Sequence, residues 1–215
     1  MTDASAGAVS GVAMKQRAVL RPLRRSELPA DTLALARYLI GKTVVHDLQG
    51  RRLSGRIVET EAYPPGDASG HAFRGERRSN RSLFLDRGHA YLYLNYGIAV
   101  LLNVTSEKPG VGGGVLIRGL EPLEGIAEME SRRGTVRLVD LTRGPGRLTT
   151  ALGIRLEQDG VDLCTGAALW LGTAIKPHGI ISTSIRIGIS CEKEQLRRFF
   201  EQGNPHVSGP KWLNS

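Results

Sequence analysis

The sequence predicts a single α+β domain. Several apolar runs alternate with the two-residue period of a strand and are separated by turn residues. Other segments carry helical spacing between cap signals, and no linker or internal repeat divides the 215 residues. A chain of this length can bury a sizeable core. Its 40% hydrophobic and 23% charged residues fit a globular protein, and no run approaches the ~18 apolar residues of a membrane-spanning helix. Neither a membrane segment nor a signal peptide is therefore expected.

Taken in order, residues 1–25 are small and polar and then basic ("KQRAVLRPLRR"), which reads as a flexible N-terminal tail ahead of a domain over residues 26–215. Asp31 is a candidate N-cap for "TLALARYLIG", with Leu33, Ala36, Leu39 and Ile40 on one face and Gly41 closing the helix. "KTVVHDL" and "RRLSGRIVETEAY" read as strands joined at Gln49-Gly50. Residues 64–88, rich in Gly, Pro, Ser and Arg, form the longest segment without periodicity, and loops of that length are often functional. "HAYLYLNYG" and "IAVLLNVTS" read as a hairpin and "GGGVLIRGL" as a further strand. A helix is expected over "EPLEGIAEMESRRG", with Pro122 in its first turn and Gly134 just past its end, and another over "GPGRLTTALGI". "AALWLG" and "SIRIGIS" suggest weak strands, "KEQLRRFFEQG" a short helix, and Asn204-Pro205 a closing turn.

The formal net charge is +8 and the pI near 9.9, which favours a polyanionic partner, nucleic acid first, over an uninformative basic surface. Cys164 and Cys191 stand far apart and outside any CxxC pattern, so neither a disulfide framework nor a zinc site is expected, and the default compartment is reducing.

In "RIVETEAY" strict alternation puts Ile57, Glu59, Glu61 and Tyr63 on one face. Paired carboxylates suit acid/base chemistry, although by spacing alone a solvated strand edge is the simpler reading. His71 is a lone loop histidine. Asn103 and Arg118 interrupt apolar strands, so each is hydrogen-bonded, faces a cavity or lies at a strand end; Arg118 reads equally as a buried ion-pair partner. Arg74, Arg77, Arg78 and Arg81 form either a solvated loop or a phosphate-contacting rim. Three of the five tyrosines fall within six positions. Tyr91 and Tyr93 read as aromatic core, whereas Tyr96 beside Gly97 stands at a hairpin tip, where a ring can wedge into a base stack.

"GRIVETEAY", "HAYLYLNYG", "LLNV" and "VLIRGLEPLEG", in that order, resemble the alkyladenine (3-methyladenine) DNA glycosylase family. Weaker echoes follow in "RGPGRLTTALGI", "RIGIS" and "RRFFEQGNPHVS", so that the resemblance spans about residues 33–208. It implies a curved antiparallel sheet with surrounding helices and a protruding, DNA-inserting hairpin. It also implies an enzyme that flips alkylated or deaminated purines out of double-stranded DNA and hydrolyses the N-glycosidic bond. By the same resemblance Glu61 matches the general base, and Arg118 the arginine that orders the attacking water. Tyr63, His71, Tyr93 and Asn103 match the base pocket, with Asn103 disfavouring guanine, and Tyr96 matches the intercalating residue. With Lys108 the nearest lysine to the core motifs, a monofunctional reaction without a lyase step is expected. No cofactor or metal is expected, and the resemblance implies a monomer. The expected place of action is intracellular and DNA-associated, in the cytoplasm and nucleoid if bacterial and the nucleus if eukaryotic. The alternative is a non-catalytic module for damaged DNA, which the presence of Glu61 disfavours. The chain departs from the family pattern at Gly70, which shifts His71 by about one residue, at "GERRSN", at Leu83-Phe84 and at Asn95.

Overall fold

One long strand, β2 (Arg51–Tyr63), organises the fold. The computed structural model describes residues 20–214. Among them the strands are β1 (Thr43–Leu48), β2, β3 (Ala90–Asn95), β4 (Ala99–Thr105), β5 (Gly114–Glu124), β6 (Leu169–Gly172), β7 (Ile181–Ser184) and β8 (Arg198–Glu201). They form one curled sheet in the order β3-β4-β5-β2-β1-β6, with β8 also on β2 and β7 on β8. Every pairing is antiparallel. The expected α+β class and antiparallel sheet are both present.

β2 is long enough to hold different partners along one edge. Residues 51–56 pair with β1, and residues 59–61 pair with β8. The opposite edge lies along β5, so Glu59 and Glu61 sit between strands on both sides. This corrects the reading of the two glutamates as a solvated edge. Register shifts between Ile57 and Glu59, and again between Glu59 and Thr60, also break strict alternation. Ile57 and Ala62 join the main core and Thr60 Oγ1 donates to Ala36 O, while both glutamates turn to the other side. Ile57 therefore does not share the glutamates' face.

The helices cover the core side. In α1 (Thr32–Leu39), Asp31 accepts from Ala34 N–H at 2.7 Å, a cap worth about 1 kcal/mol, and Leu35, Ala36 and Leu39 are buried. α2 (Ile126–Arg133) starts four residues later than expected, because Pro122 belongs to the end of β5. Beyond Leu116, β5 has no β4 partner, and a residue without an N–H is tolerated there. Gly134 does close α2. A short α3 (Leu138–Thr142) leads to α4 (Pro145–Leu152), which opens on Pro145 as predicted.

Two further expectations fail near the C-terminus. "KEQLRRFFEQG" is not a helix: Arg198–Glu201 is β8, drawn into the sheet by burial of Phe199 and Phe200. "SIRIGIS" is not a strand beyond Ser184, since Gly188 takes a φ of 77° that no strand residue adopts. Of the expected tail, residues 1–19 lie outside the described residues. Residues 20–23 pack against β6 and its end, with Leu23 N–H donating to Leu171 O at 2.8 Å and its side chain in the core.

Candidate active site

The curl of the sheet leaves a cleft of about 400 Å³ on the glutamates' side. Its walls come from Tyr63 on β2, Tyr91 and Tyr93 on β3, Asn103 on β4 and Arg118 on β5, together with His71, Pro145 and residues 187–190. The sequence-predicted pocket residues Tyr63, His71, Tyr93 and Asn103 are thus brought together, and Arg118 and Tyr96 also line the cleft. A volume in this range suits a small ligand or a single base.

Glu61 lies immediately behind this lining and is fully buried. Its Oε2 accepts from Tyr63 Oη at 2.9 Å and from Arg118 Nη1 at 3.3 Å, and its Oε1 accepts from Ile187 N–H at 2.7 Å. A carboxylate offers about four acceptor positions, so one remains, on Oε1. Every group that touches the carboxylate is itself part of the cleft wall. Burial, then the Glu61 charge and hydrogen bond, hold the Tyr63 phenol well above its usual pKa. It therefore keeps its proton and donates a hydrogen bond to Glu61.

Arg118 is both an ion-pair partner and a cavity residue, which removes the opposition between its two readings. Its Nε donates to Glu59 at 3.1 Å while Nη1 faces Glu61. Burial disfavours its charge, but Glu61 and Glu59 more than restore it. Glu59 in turn accepts from Arg198 Nε (2.7 Å), Ser208 N–H (2.7 Å) and Ser208 Oγ (3.0 Å). Burial raises its pKa, yet Arg118, Arg198 and the Ser208 amide together hold it below the ordinary carboxylate range.

His71 sits at the mouth of the cleft. Its ring meets Tyr93 edge-on at 4.4 Å, and Nδ1 lies 2.7 Å from Tyr91 Oη. Burial, with Tyr93 and Asp159 nearby, raises the Tyr91 phenol, so its O–H is available to donate to Nδ1. Although His71 is exposed as a residue, this edge of the ring is turned inward, and desolvation lowers its pKa. The imidazole is thus favoured in its neutral form, with Nδ1 engaged by Tyr91 Oη. Tyr91 thus does more than pack. The Tyr93 phenol, also desolvated, is pushed up to about 12. Asn103 is pinned by its Nδ2 donating to Tyr91 O at 3.2 Å.

Several supporting residues were not anticipated. Arg186 stacks on the Tyr63 ring at 4.5 Å and is held by the fully buried Asp67, which also accepts from Arg197 at 2.9 Å. Asn80 anchors the loop by donating to His71 O at 2.9 Å. The cleft wall at 187–190 and the Ile187 amide on Glu61 belong to a segment read as a strand, and Gly188 inside "RIGIS" was the available warning.

The tip of the β3–β4 hairpin stands beside the cleft. Tyr96 and Gly97 are the central residues of a turn, closed by Ile98 N–H on Asn95 O at 2.9 Å, within the three-residue connection 96–98. Both have positive φ, 50° and 71°, the pattern of a type I′ turn that favours Asn or Gly over an aromatic residue. Tyr96 is 88% exposed. Arg74, Arg77, Arg78 and Arg81 are all exposed. Arg81 reaches Glu76 at 3.7 Å, and among the described residues the other three form no ion pair. Arg74 and Arg77 border a second, open cavity that shares His71, Tyr91 and Tyr93 with the cleft.

A buried carboxylate–arginine pair lies beneath an aromatic cleft the size of a single base, flanked by a basic loop and an exposed ring. Comparison with known proteins gives the family. The model for methylpurine-DNA glycosylase (MPG) matches residues 26–205, and the chain belongs to this family. It is 59% identical over 192 residues to a protein of Mesorhizobium japonicum, covering 89% of this chain and 92% of that one. A protein of Paraburkholderia phytofirmans is 51% identical, with 93% of each chain covered. One of the archaeon Methanoculleus marisnigri is 39% identical, covering 83% of this chain and 94% of its own. All three bear 3-methyladenine DNA glycosylase as a provisional name. Among the described residues no helix is long and apolar enough to cross a membrane.

Proposed function

We propose that the chain is a monofunctional glycosylase that extrudes an alkylated or deaminated purine from duplex DNA into the cleft and hydrolyses its N-glycosidic bond. The observation that carries this reading is the buried Glu61, which keeps one acceptor position on Oε1 behind an aromatic cleft. Water held there loses a proton to Glu61 while its oxygen attacks C1′. The C1′–N9 bond breaks with both electrons passing to the purine. In an alkylated purine those electrons neutralise an existing positive charge, so departure needs no strong acid; a deaminated purine, neutral at the start, leaves as its anion and takes a proton from solvent. Tyr63, His71 and Tyr93 enclose the base, and π faces suit a cationic one. Tyr96 fills the gap in the duplex, and Arg74, Arg77, Arg78 and Arg81 contact phosphates. Among the described residues no lysine lines the cleft, in keeping with an abasic product and no Schiff base. The enzyme works as a monomer, without a cofactor, in the compartment that holds the cell's DNA.

The test is base release from duplexes carrying 3-methyladenine, 7-methylguanine, hypoxanthine or ethenoadenine, with the free nucleosides alongside. Free base should appear from duplex only, and strands should break only after alkali. Release from no lesion would leave a binding module instead. Strand cleavage with a borohydride-trapped adduct would rule out the monofunctional step.

Asn103 gives a second expectation. A guanine 2-amino group would crowd its pinned amide, so Asn103→Ser should raise release of guanine-type lesions relative to hypoxanthine, by about 10-fold for ~1.4 kcal/mol of relieved crowding. Unchanged ratios across the panel would remove Asn103 from specificity.

A further inference from the structure

We propose that Glu59 is a positioning residue for base excision, fixing where Arg118 meets Glu61 and balancing the charge beneath the cleft. This rests on the reading of Glu61 as the base. Four groups form the buried cluster: Glu59 and Glu61 on β2, Arg118 on β5 and Arg198 on β8. Arg118 and Arg198 both present their Nε edges to Glu59 Oε1, at 3.1 Å and 2.7 Å. Held by that edge, Arg118 reaches Glu61 through Nη1 alone, at 3.3 Å, the longest contact the carboxylate makes. A guanidinium released from Glu59, with only a 3.4 Å contact from Nη2 to Ser208 Oγ left to hold it, can turn its two-pronged edge onto Glu61 and occupy the acceptor position that water needs.

The charge argument points the same way. The quartet is neutral as two carboxylates and two guanidinium groups. Without Glu59 a net positive charge would lie under a sugar that becomes oxocarbenium-like as the glycosidic bond breaks, which opposes the reaction. The cluster continues outward: Arg198 Nη2 donates to Asn214 Oδ1 at 2.7 Å and to Ser208 O at 3.0 Å, and Asn214 Nδ2 donates to Ser208 O at 3.1 Å. The C-terminal residues thus close the last side of the arginine that steadies Glu59.

Glu59→Gln is the direct test. An amide keeping its oxygen on the two arginines turns its NH₂ toward Ser208 N–H, donor against donor, so it cannot replace the carboxylate. The charged and titratable groups facing Glu61 are Tyr63 and Glu59 on β2, Arg118 on β5, Arg198 on β8 and Tyr93 on β3, with Arg186 beyond Tyr63. Removing only Glu59 leaves the cationic ones acting on Glu61 unopposed.

Single-turnover base release should fall at least ~10-fold at an unchanged lesion-duplex Kd, and the acid limb of its pH profile should move to lower pH. Asn214→Ala, at the half-buried outer end of the relay, should shift the profile in the same direction with a loss of about two- to threefold. An unshifted acid limb in both variants, with rate tracking only the folded fraction, would overturn the proposal. If Glu61→Gln retains turnover, the assignment of the base fails whatever Glu59 does, and the two failures are thereby told apart.

Discussion

Glu61→Gln is expected to stop base release while leaving lesion binding in place. The substitution keeps size and shape at a fully buried position. With the amide oxygen at the Oε1 position, the Ile187 N–H keeps its acceptor, and Tyr63 Oη can turn to accept from the new NH₂. Only the contact with Arg118 Nη1 becomes repulsive, and that was the longest of the three. Arg118 retains Glu59, so folding should survive, with a modest fall in Tm. Chemistry should not, because an amide cannot take a proton from water. General-base groups contribute about 10²–10⁴-fold, and the loss in single-turnover rate should fall in that range. Binding measured by fluorescence anisotropy on an ethenoadenine duplex should change little. Turnover near the unsubstituted level would sink the assignment.

Tyr96→Asn should weaken lesion binding and yet stabilise the free protein. A stacked base–aromatic contact is worth about 1–3 kcal/mol, equivalent to roughly 5–150-fold in Kd. The same ring occupies a left-handed backbone position that costs an L-residue about 1–2 kcal/mol and that Asn tolerates better. The unliganded variant should therefore melt at the same temperature or higher, while Tyr96→Phe, which keeps the ring, should bind almost normally. Unchanged affinity in Tyr96→Asn would remove the wedge. A lower Tm would remove the strain argument. A cost in stability tolerated at an exposed position is the signature of a residue kept for what it touches.

Much of this was legible in the sequence because the signals were local. Alternation found β2, β3 and β4, Asp31 found the start of α1, and Pro145 found α4. Tyr96-Gly97 read as a turn on its residue types. What escaped was decided by partners distant in the chain. "KEQLRRFFEQG" carries helical spacing, and nothing in it reveals that Arg198 can enter the sheet because its guanidinium finds Glu59 on the neighbouring β2. The pairing of Glu59 and Glu61 looked like surface because spacing cannot show that β2 has neighbours on both edges. The bulge that separates Ile57 from the glutamates was equally silent, being a property of the pairing with β5 as much as of β2. His71 was placed by resemblance, and its Tyr91 partner, 20 residues away, was not foreseen.

The position of β8 and the 187–190 wall carries a consequence for synthesis of the protein. Glu61, the hairpin and the basic loop have all left the ribosome well before the residues that finish the cleft: Ile187 for the carboxylate, Arg198 and Ser208 for its neighbour Glu59, Asn214 for Arg198. Contacts this far apart in sequence form late and slowly. A chain cut short by damage to its own message would still carry the parts proposed to seek DNA but lack those that support hydrolysis. The edge of β2 that carries Glu59 and Glu61 therefore stays open until β8 has been made.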